Sequence, residues 1–144
     1  VIFQRLAHDS DLALPSDATE GAVGIDIAAA IDRPRCLQPG TIMAIPTGFA
    51  MELPAGYEAQ IRPRSGLALK HGITIANAPG TIDSDYRGEI AVILLNNGSR
   101  DFTITRGMRI AQMVLSAITL INPIEVKYLD ETERATGGFG STGL

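Results

Sequence analysis

The sequence predicts an all-β fold, an antiparallel barrel or jelly roll, and three observations carry that prediction. Short apolar runs and period-2 alternation dominate the chain, as strands with one buried face require. Turn residues interrupt those runs at intervals of roughly ten positions, the rhythm of short antiparallel strands; fifteen glycines and eight prolines supply them. No helix-length amphipathic pattern alternates with the strands, which argues against a parallel α/β sheet.

Taken in order, residues 2–6 read as a strand, followed by a polar stretch ending at Pro15 and Ser16. Residues 25–29, 41–45 and 48–53 read as strands, punctuated by Pro39-Gly40, Pro46 and Pro54-Ala55-Gly56. Residues 57–62 alternate well: Tyr57, Ala59 and Ile61 face one way, and Glu58, Gln60 and Arg62 the other. A short helix is predicted over 66–71, with Ser65 as its cap and Gly72 as its left-handed stop. Strands at 73–76 and 81–83 flank Asn77-Ala78-Pro79-Gly80, which reads as a hairpin turn. Residues 89–95, 102–105, 109–115 and 124–128 complete the set. No internal repeat or linker divides the chain, and 144 residues suit one domain.

Composition narrows the function. With 45% hydrophobic residues the chain can build a real core. A net charge of −4, with both signs interspersed, gives no electrostatic footprint for duplex DNA or an anionic membrane. Lys70 and Lys127 are the only lysines, so the cations are mostly arginines, whose planar fork suits phosphate or carboxylate. The lone Cys36 cannot form an internal disulfide and reads as a half-buried strand residue rather than a catalytic thiol. No apolar run approaches the roughly 18 residues that span a bilayer, and no charged-then-apolar leader is visible. The expectation is a soluble protein of the cytoplasm.

The chemistry-bearing residues fall in five segments. Near the C-terminus, Gly137-Gly138-Phe139-Gly140-Ser141-Thr142-Gly143 offers exposed N–H groups, two hydroxyls and a ring, with Arg134 just upstream. It fits G-x-G-x-x-G, but only Leu144 follows, so no helix can present its N-terminus to a pyrophosphate. Such a tail suits closure over a polyphosphate with a base stacked on Phe139.

Gly80-Thr81-Ile82-Asp83-Ser84-Asp85-Tyr86-Arg87-Gly88-Glu89 is the densest polar cluster. Alone it reads as a solvated turn. Asp83, projecting from a strand end, is placed for a general base on water, and Tyr86 for laying its ring against a sugar. Arg62-Pro63-Arg64-Ser65-Gly66 offers a guanidinium, a hydroxyl and N–H groups to an anion, or is an ordinary capped helix with surface arginines. Ser65 is a poor nucleophile without a positioned base and suits hydrogen-bond donation instead.

Asp26 interrupts the apolar run Ala22-Val23-Gly24-Ile25-Asp26-Ile27-Ala28-Ala29, so its carboxylate needs a partner, as a paired acid on an edge strand or beside a metal. Gln112 lies in Gly107-Met108-Arg109-Ile110-Ala111-Gln112-Met113, where its amide must also find partners. His8 and His71 lack partners at zinc-ligand spacing, which leaves a hard, water-keeping ion such as Mg²⁺.

In order and together, these segments resemble the trimeric dUTPase (dUTP diphosphatase) family, and the match runs from Ala22 to Gly143. The resemblance implies a jelly-roll-like β-clip barrel over 1–133 with a glycine-rich tail over 134–144. It implies a homotrimer that exchanges those tails, with three sites each built from all three chains. It implies hydrolysis of dUTP to dUMP and pyrophosphate, which keeps uracil out of DNA and supplies dUMP for dTMP synthesis. In that family's scheme Asp83 activates the water that attacks the α-phosphorus, and Tyr86 packs under the deoxyribose. The segment Asn77, Gly80, Thr81 and Ile82 reads uracil, with the Asn77 amide and backbone groups as its readers. Arg64, Ser65, Gly66 and Gln112 hold the α- and β-phosphates, and Asp26 holds Mg²⁺ through water. Phe139 stacks on uracil, while Arg134, Gly140, Ser141 and Thr142 grip the γ-phosphate. No stable nucleic-acid or membrane partner is implied.

Two residues depart from the family's pattern: Ala135 where glycine usually follows the tail arginine, and Val23 where a smaller residue is common. The rival enzyme is the related dCTP deaminase family, which would want an acid at the pyrimidine's amino-bearing carbon. The rival of another class is a non-catalytic nucleotide-binding trimer, whose mark would be loss of the Asp83 equivalent or the tail.

Overall fold

The strands that the alternation predicts do form, and they pair into four small antiparallel sheets. The computed structural model describes residues 1–9, 11–16 and 19–138. Along them run β1 (Ile2–Arg5), a 3₁₀ turn (Ala7–Asp9), β2 (Ile25–Ala28), β3 (Arg35–Leu37), β4 (Ile42–Pro46) and β5 (Phe49–Glu52). Then come β6 (Tyr57–Arg62), α1 (Ser65–His71), β7 (Ile73–Ile75), β8 (Gly80–Ile82), β9 (Ala91–Asn96), β10 (Phe102–Ile104) and β11 (Arg109–Ala117). Strand orders are β2-β11-β6-β8, β4-β9-β7, β1-β5 and β10-β3. This is the jelly-roll-like, all-β architecture with one short helix.

One core joins the sheets. Ile27, Ala59, Ile61 and Met113 from the four-stranded sheet share it with Ile45, Ile73, Val92 and Leu94 from the three-stranded one. Fully burying each large aliphatic side chain contributes about 1.5–3 kcal/mol. In β6 the predicted alternation holds for Ala59 and Ile61, which are buried, while Tyr57 at the strand's start stays exposed.

Four expectations need correction. Ser65 is not the helix cap: Arg64 occupies that position with extended backbone (φ −86°, ψ 127°), no side chain caps the helix, and Ser65 is its first residue. The chain is still extended as it leaves β6 through Pro63, so the switch to helical angles falls one residue later. Gly72 does end the helix, at φ 69°. Asn77-Ala78-Pro79-Gly80, with a cis Ala78-Pro79 peptide, is not a hairpin turn, because β7 pairs with β9 and β8 with β6. It carries the chain from one sheet to another.

Residues 124–128 form no strand; Ile124 and Tyr128 are each 79% exposed. Their pattern suits a strand, but a strand needs a neighbouring backbone, and none in the described chain pairs with them. Conversely Arg35–Leu37, too short and charged to stand out, pairs with β10 as β3, and Cys36 on it is exposed rather than half-buried.

Candidate active site

Asp26 organises one corner of the four-stranded sheet. It faces Gln112 of β11, which in turn faces Arg62 of β6. β11 pairs Arg109 with Ala28 and Ala111 with Ile27, so Ile110 is an extra residue, a bulge. In a regular strand, residues three apart point to opposite faces. The bulge resets that alternation, so Arg109 and Gln112 both reach the face that carries Asp26.

The sequence left Asp26 needing a partner, and the fold supplies two. Arg64 Nε donates to its Oδ1 at 3.0 Å and Arg109 Nη1 to its Oδ2 at 2.9 Å. The carboxylate is 11% exposed, against 26% for the Arg64 side chain and 58% for that of Arg109. Two guanidinium groups around one carboxylate leave a surplus positive charge. Beside them a cavity of about 270 Å³ is lined by Arg64, Ser65, Gly66 and Gln112, with Lys70 and His71 of the same helix. A side chain at Gly66 would meet open space, so its backbone is accessible. Charge, hydroxyl, amide and free N–H groups facing a common cavity suit a polyphosphate.

Lys70 is the residue that sequence reasoning missed here. The signal was its spacing, four residues after Gly66, which puts both on one helix face.

Gly80 opens β8 opposite Ile61, and a Cβ there would lie 3.1 Å from Asn77 Nδ2. The absent side chain lets the Asn77 amide fold back over the strand's start. β8 then runs antiparallel to β6, with Ile82 opposite Ala59. Asp83 therefore leaves the sheet toward the Glu58 end, roughly 10 Å of strand from Gly80. It is exposed, and among the described residues its carboxylate joins no ion pair.

Beyond Asp83 the chain turns, with Tyr86 N donating to Asp83 O at 3.2 Å. Tyr86 Oη donates to Glu89 O at 3.0 Å. Its ring lies over Gly88, where a Cβ would meet Oη at 2.3 Å. Thus Arg64, Ser65, Gly66, Gln112 and Asp26 gather at one end of the sheet with Gly80 and Asn77 near them. Asp83 and Tyr86 lie at the other.

In the tail, Arg134 Nε donates to Gly137 O at 2.9 Å within a turn. Ala135 has φ 45°, the left-handed region that glycine adopts freely and alanine at a cost of roughly 1 kcal/mol. Phe139, Gly140, Ser141 and Thr142 lie outside the described residues.

Among the described residues no cluster of three or more His, Cys, Asp or Glu could cage a metal. Among the described residues no carboxylate lines the cavity beside α1, and Asp26 reaches it only through Arg64. That donor set fits an Mg²⁺ ion carried on a triphosphate, keeping its waters, better than an ion lodged in protein. Burial pushes the Asp9 carboxyl above the usual carboxylate range, with Arg5 and Arg106 pulling it back. Desolvation and Asp101 push the Cys36 thiol up, the reverse of what a nucleophile needs.

The dUTPase family model matches residues 10–143. A deoxyuridine 5'-triphosphate nucleotidohydrolase of Sinorhizobium medicae is 56% identical over 142 residues, covering 97% of this chain and 89% of the relative. One of the same name from Caulobacter vibrioides is 54% identical, covering 99% and 93%. Among solved structures, the Staphylococcus bacteriophage 80alpha dUTPase with dUpNHpp superposes at a TM-score of 0.86 with 24% identity, covering 99% of each chain. A dUTPase from phage phi11 of S. aureus, described with a structural Mg(II) ion, superposes at 0.77 with 21% identity over 89% of this chain and 98% of its own. At those identities the two phage structures speak for the fold. Among the described residues no helix is long and apolar enough to cross a membrane.

Proposed function

The chain belongs to the dUTPase family, and from that premise we propose that it hydrolyses dUTP to dUMP and pyrophosphate by in-line attack of water on the α-phosphorus. Asp83 is the general base. The observation that carries this role is its position, exposed just after β8 and in no ion pair among the described residues. Such proton transfer contributes about 10²–10⁴ in rate.

The cavity beside α1 receives the α- and β-phosphates on Arg64, Ser65, Gly66 and Gln112. Asp26 holds Arg64 and Arg109 ready, so little reorganisation accompanies binding. Mg²⁺ carried on the triphosphate would be held by Asp26 through water and would supply charge neutralisation. The backbone of Gly80, Thr81 and Ile82 and the Asn77 amide read uracil. Tyr86 lies under the deoxyribose and leaves no room for a 2′-hydroxyl. The tail over 134–144 closes the site, with Phe139 on the base and Arg134, Gly140, Ser141 and Thr142 on the γ-phosphate.

The working unit is a homotrimer. Two observations support it: phosphate-binding residues and Asp83 stand at opposite ends of one chain's sheet, and Leu120, Ile121, Ile124, Val126, Tyr128 and Leu129 are exposed. An apolar run of that size, carrying a strand pattern but no partner, suits a tail exchanged with a second copy. The enzyme acts in the cytoplasm on the nucleotide pool, keeping uracil out of DNA and supplying dUMP for dTMP synthesis, without binding nucleic acid or membrane.

The test is pyrophosphate release with Mg²⁺ from dUTP, dTTP, dCTP and UTP in parallel. Rapid release from dUTP alone is expected. Binding of dUTP without release would overturn the hydrolytic reading, and ammonia from dCTP would replace it with deamination.

A further inference from the structure

We infer that Glu89 is a positioning residue for sugar discrimination, holding Tyr86 through the turn between β4 and β5. This rests on the proposed role of Tyr86 against the deoxyribose.

Tyr86 is 44% exposed, and among the described residues its hydroxyl has one partner, the Glu89 carbonyl. Gly88 beneath the ring leaves no space for it to settle lower. The ring is therefore fixed by wherever residue 89 is fixed.

Residues 89 and 90 are in turn held by three bonds to residues 47–49, one on the Glu89 side chain and two on the Ile90 backbone. Gly48 N–H donates to Glu89 Oε1 at 2.9 Å, Thr47 Oγ1 donates to Ile90 O at 2.6 Å, and Ile90 N donates to Phe49 O at 3.0 Å. His8 Nε2 sits 2.9 Å from the same Glu89 oxygen. The turn itself is rigid. Gly48 has φ 76°, a Cβ there would lie 2.1 Å from Asp9 Cβ, and its carbonyl accepts from Leu6 N at 2.8 Å.

A carboxylate accepting a backbone N–H is a strong, directional anchor. Cutting it releases the carbonyl that seats the tyrosine, and a displacement near 1 Å at a positioning contact costs up to about 10² in rate. The penalty should fall on selectivity. A looser ring still covers a deoxyribose but no longer excludes a hydroxyl at C2′.

The experiment compares kcat/KM for dUTP and UTP in the wild type, Glu89→Ala, Glu89→Gln and Thr47→Val, with melting temperatures as a fold control. Glu89→Ala should lower the dUTP:UTP ratio about tenfold. Glu89→Gln, which keeps an acceptor for Gly48 N–H, should stay within about twofold of the wild type. Thr47→Val loses only a hydroxyl and should shift the ratio in the same direction as Glu89→Ala, even if the latter folds poorly. A selective wild type with unchanged ratios in Glu89→Ala and Thr47→Val would overturn this inference alone. A wild type that fails to hydrolyse dUTP would overturn the underlying function with it.

Discussion

The two halves of the site are held by different means. At the α1 corner, charged side chains hold one another: Asp26 takes Arg64 and Arg109 on its two oxygens. In the loop from Asp83 to Glu89, backbone groups do most of the holding, and Asp83, the proposed base, joins no ion pair among the described residues. The difference follows from what each half is proposed to do. A phosphate grip needs cations aimed before the ligand arrives, and a shared acid aims them. A base needs a free lone pair, so anything salt-bridged to Asp83 would disable it.

The largest expected effect breaks this contrast at its centre. Asp83→Asn should retain dUTP binding and lose about 10³-fold in single-turnover rate, given the usual range for general bases. Binding by calorimetry together with rapid-quench turnover checks it; near-normal turnover would sink the role given to Asp83.

Asp26→Asn tests the other half. It keeps the shape and weakens the bonds aiming two arginines, so kcat/KM for dUTP should fall about 10²-fold with stability down by about 2 kcal/mol. Steady-state kinetics and urea melts separate the two losses. Unchanged kinetics with lowered stability would make the Asp26 pairs merely structural.

Asn96→Ala probes what sits behind the helix. Asn96 is fully buried; Nδ2 donates to Leu37 O and Arg100 O, and Oδ1 accepts from Gly98 N–H. Asn97 N also bonds Gly72 O at 2.9 Å, tying this loop to the exit of α1. Three groups left unpaired should cost about 2–4 kcal/mol, read from the denaturation midpoint. A loss below about 0.5 kcal/mol would show that other contacts hold the helix in place.

The smallest effect contrasts Asp26 with another buried acid. Asp9 is 2% exposed and bonds Arg5 through Oδ2, but Oδ1 has no partner among the described residues. Its folded pKa is raised, so the native state holds its proton more tightly than the unfolded chain does. Stability associated with Asp9 is therefore greatest below the ordinary carboxylate value and falls as pH rises through the raised one. Asp9→Asn should melt higher than the wild type at neutral pH, with the gap closing on acidification. A gap that widens toward low pH would reverse the sign and discard the argument.

Much of this was legible in the residues. The alternation at Tyr57–Arg62, the stop at Gly72 and the need of Asp26 for a partner were all local facts. The segments proposed for the site stand out in the sequence because backbone N–H groups, glycines and acids bunch within a few positions. Others failed for stated reasons. Ser65 was displaced by one residue because the backbone, not the side chain, decides where a helix begins. Residues 124–128 have a strand's pattern, but pattern cannot supply the second strand.

By itself, the sequence determined which stretches alternate, where the chain must turn, and which polar groups cannot stay unpaired. These depend on neighbours a few residues away, through sterics and side-chain chemistry. Tertiary structure alone decided that Arg64 and Arg109 answer Asp26 across 38 and 83 residues, and that a bulge at Ile110 brings Arg109 to it. It decided too that β8 joins β6 rather than β7, sending Asp83 away from the α1 corner. Strand pairing and register are cooperative properties of distant segments, set by which packing buries the whole core at once, and no local window contains that information.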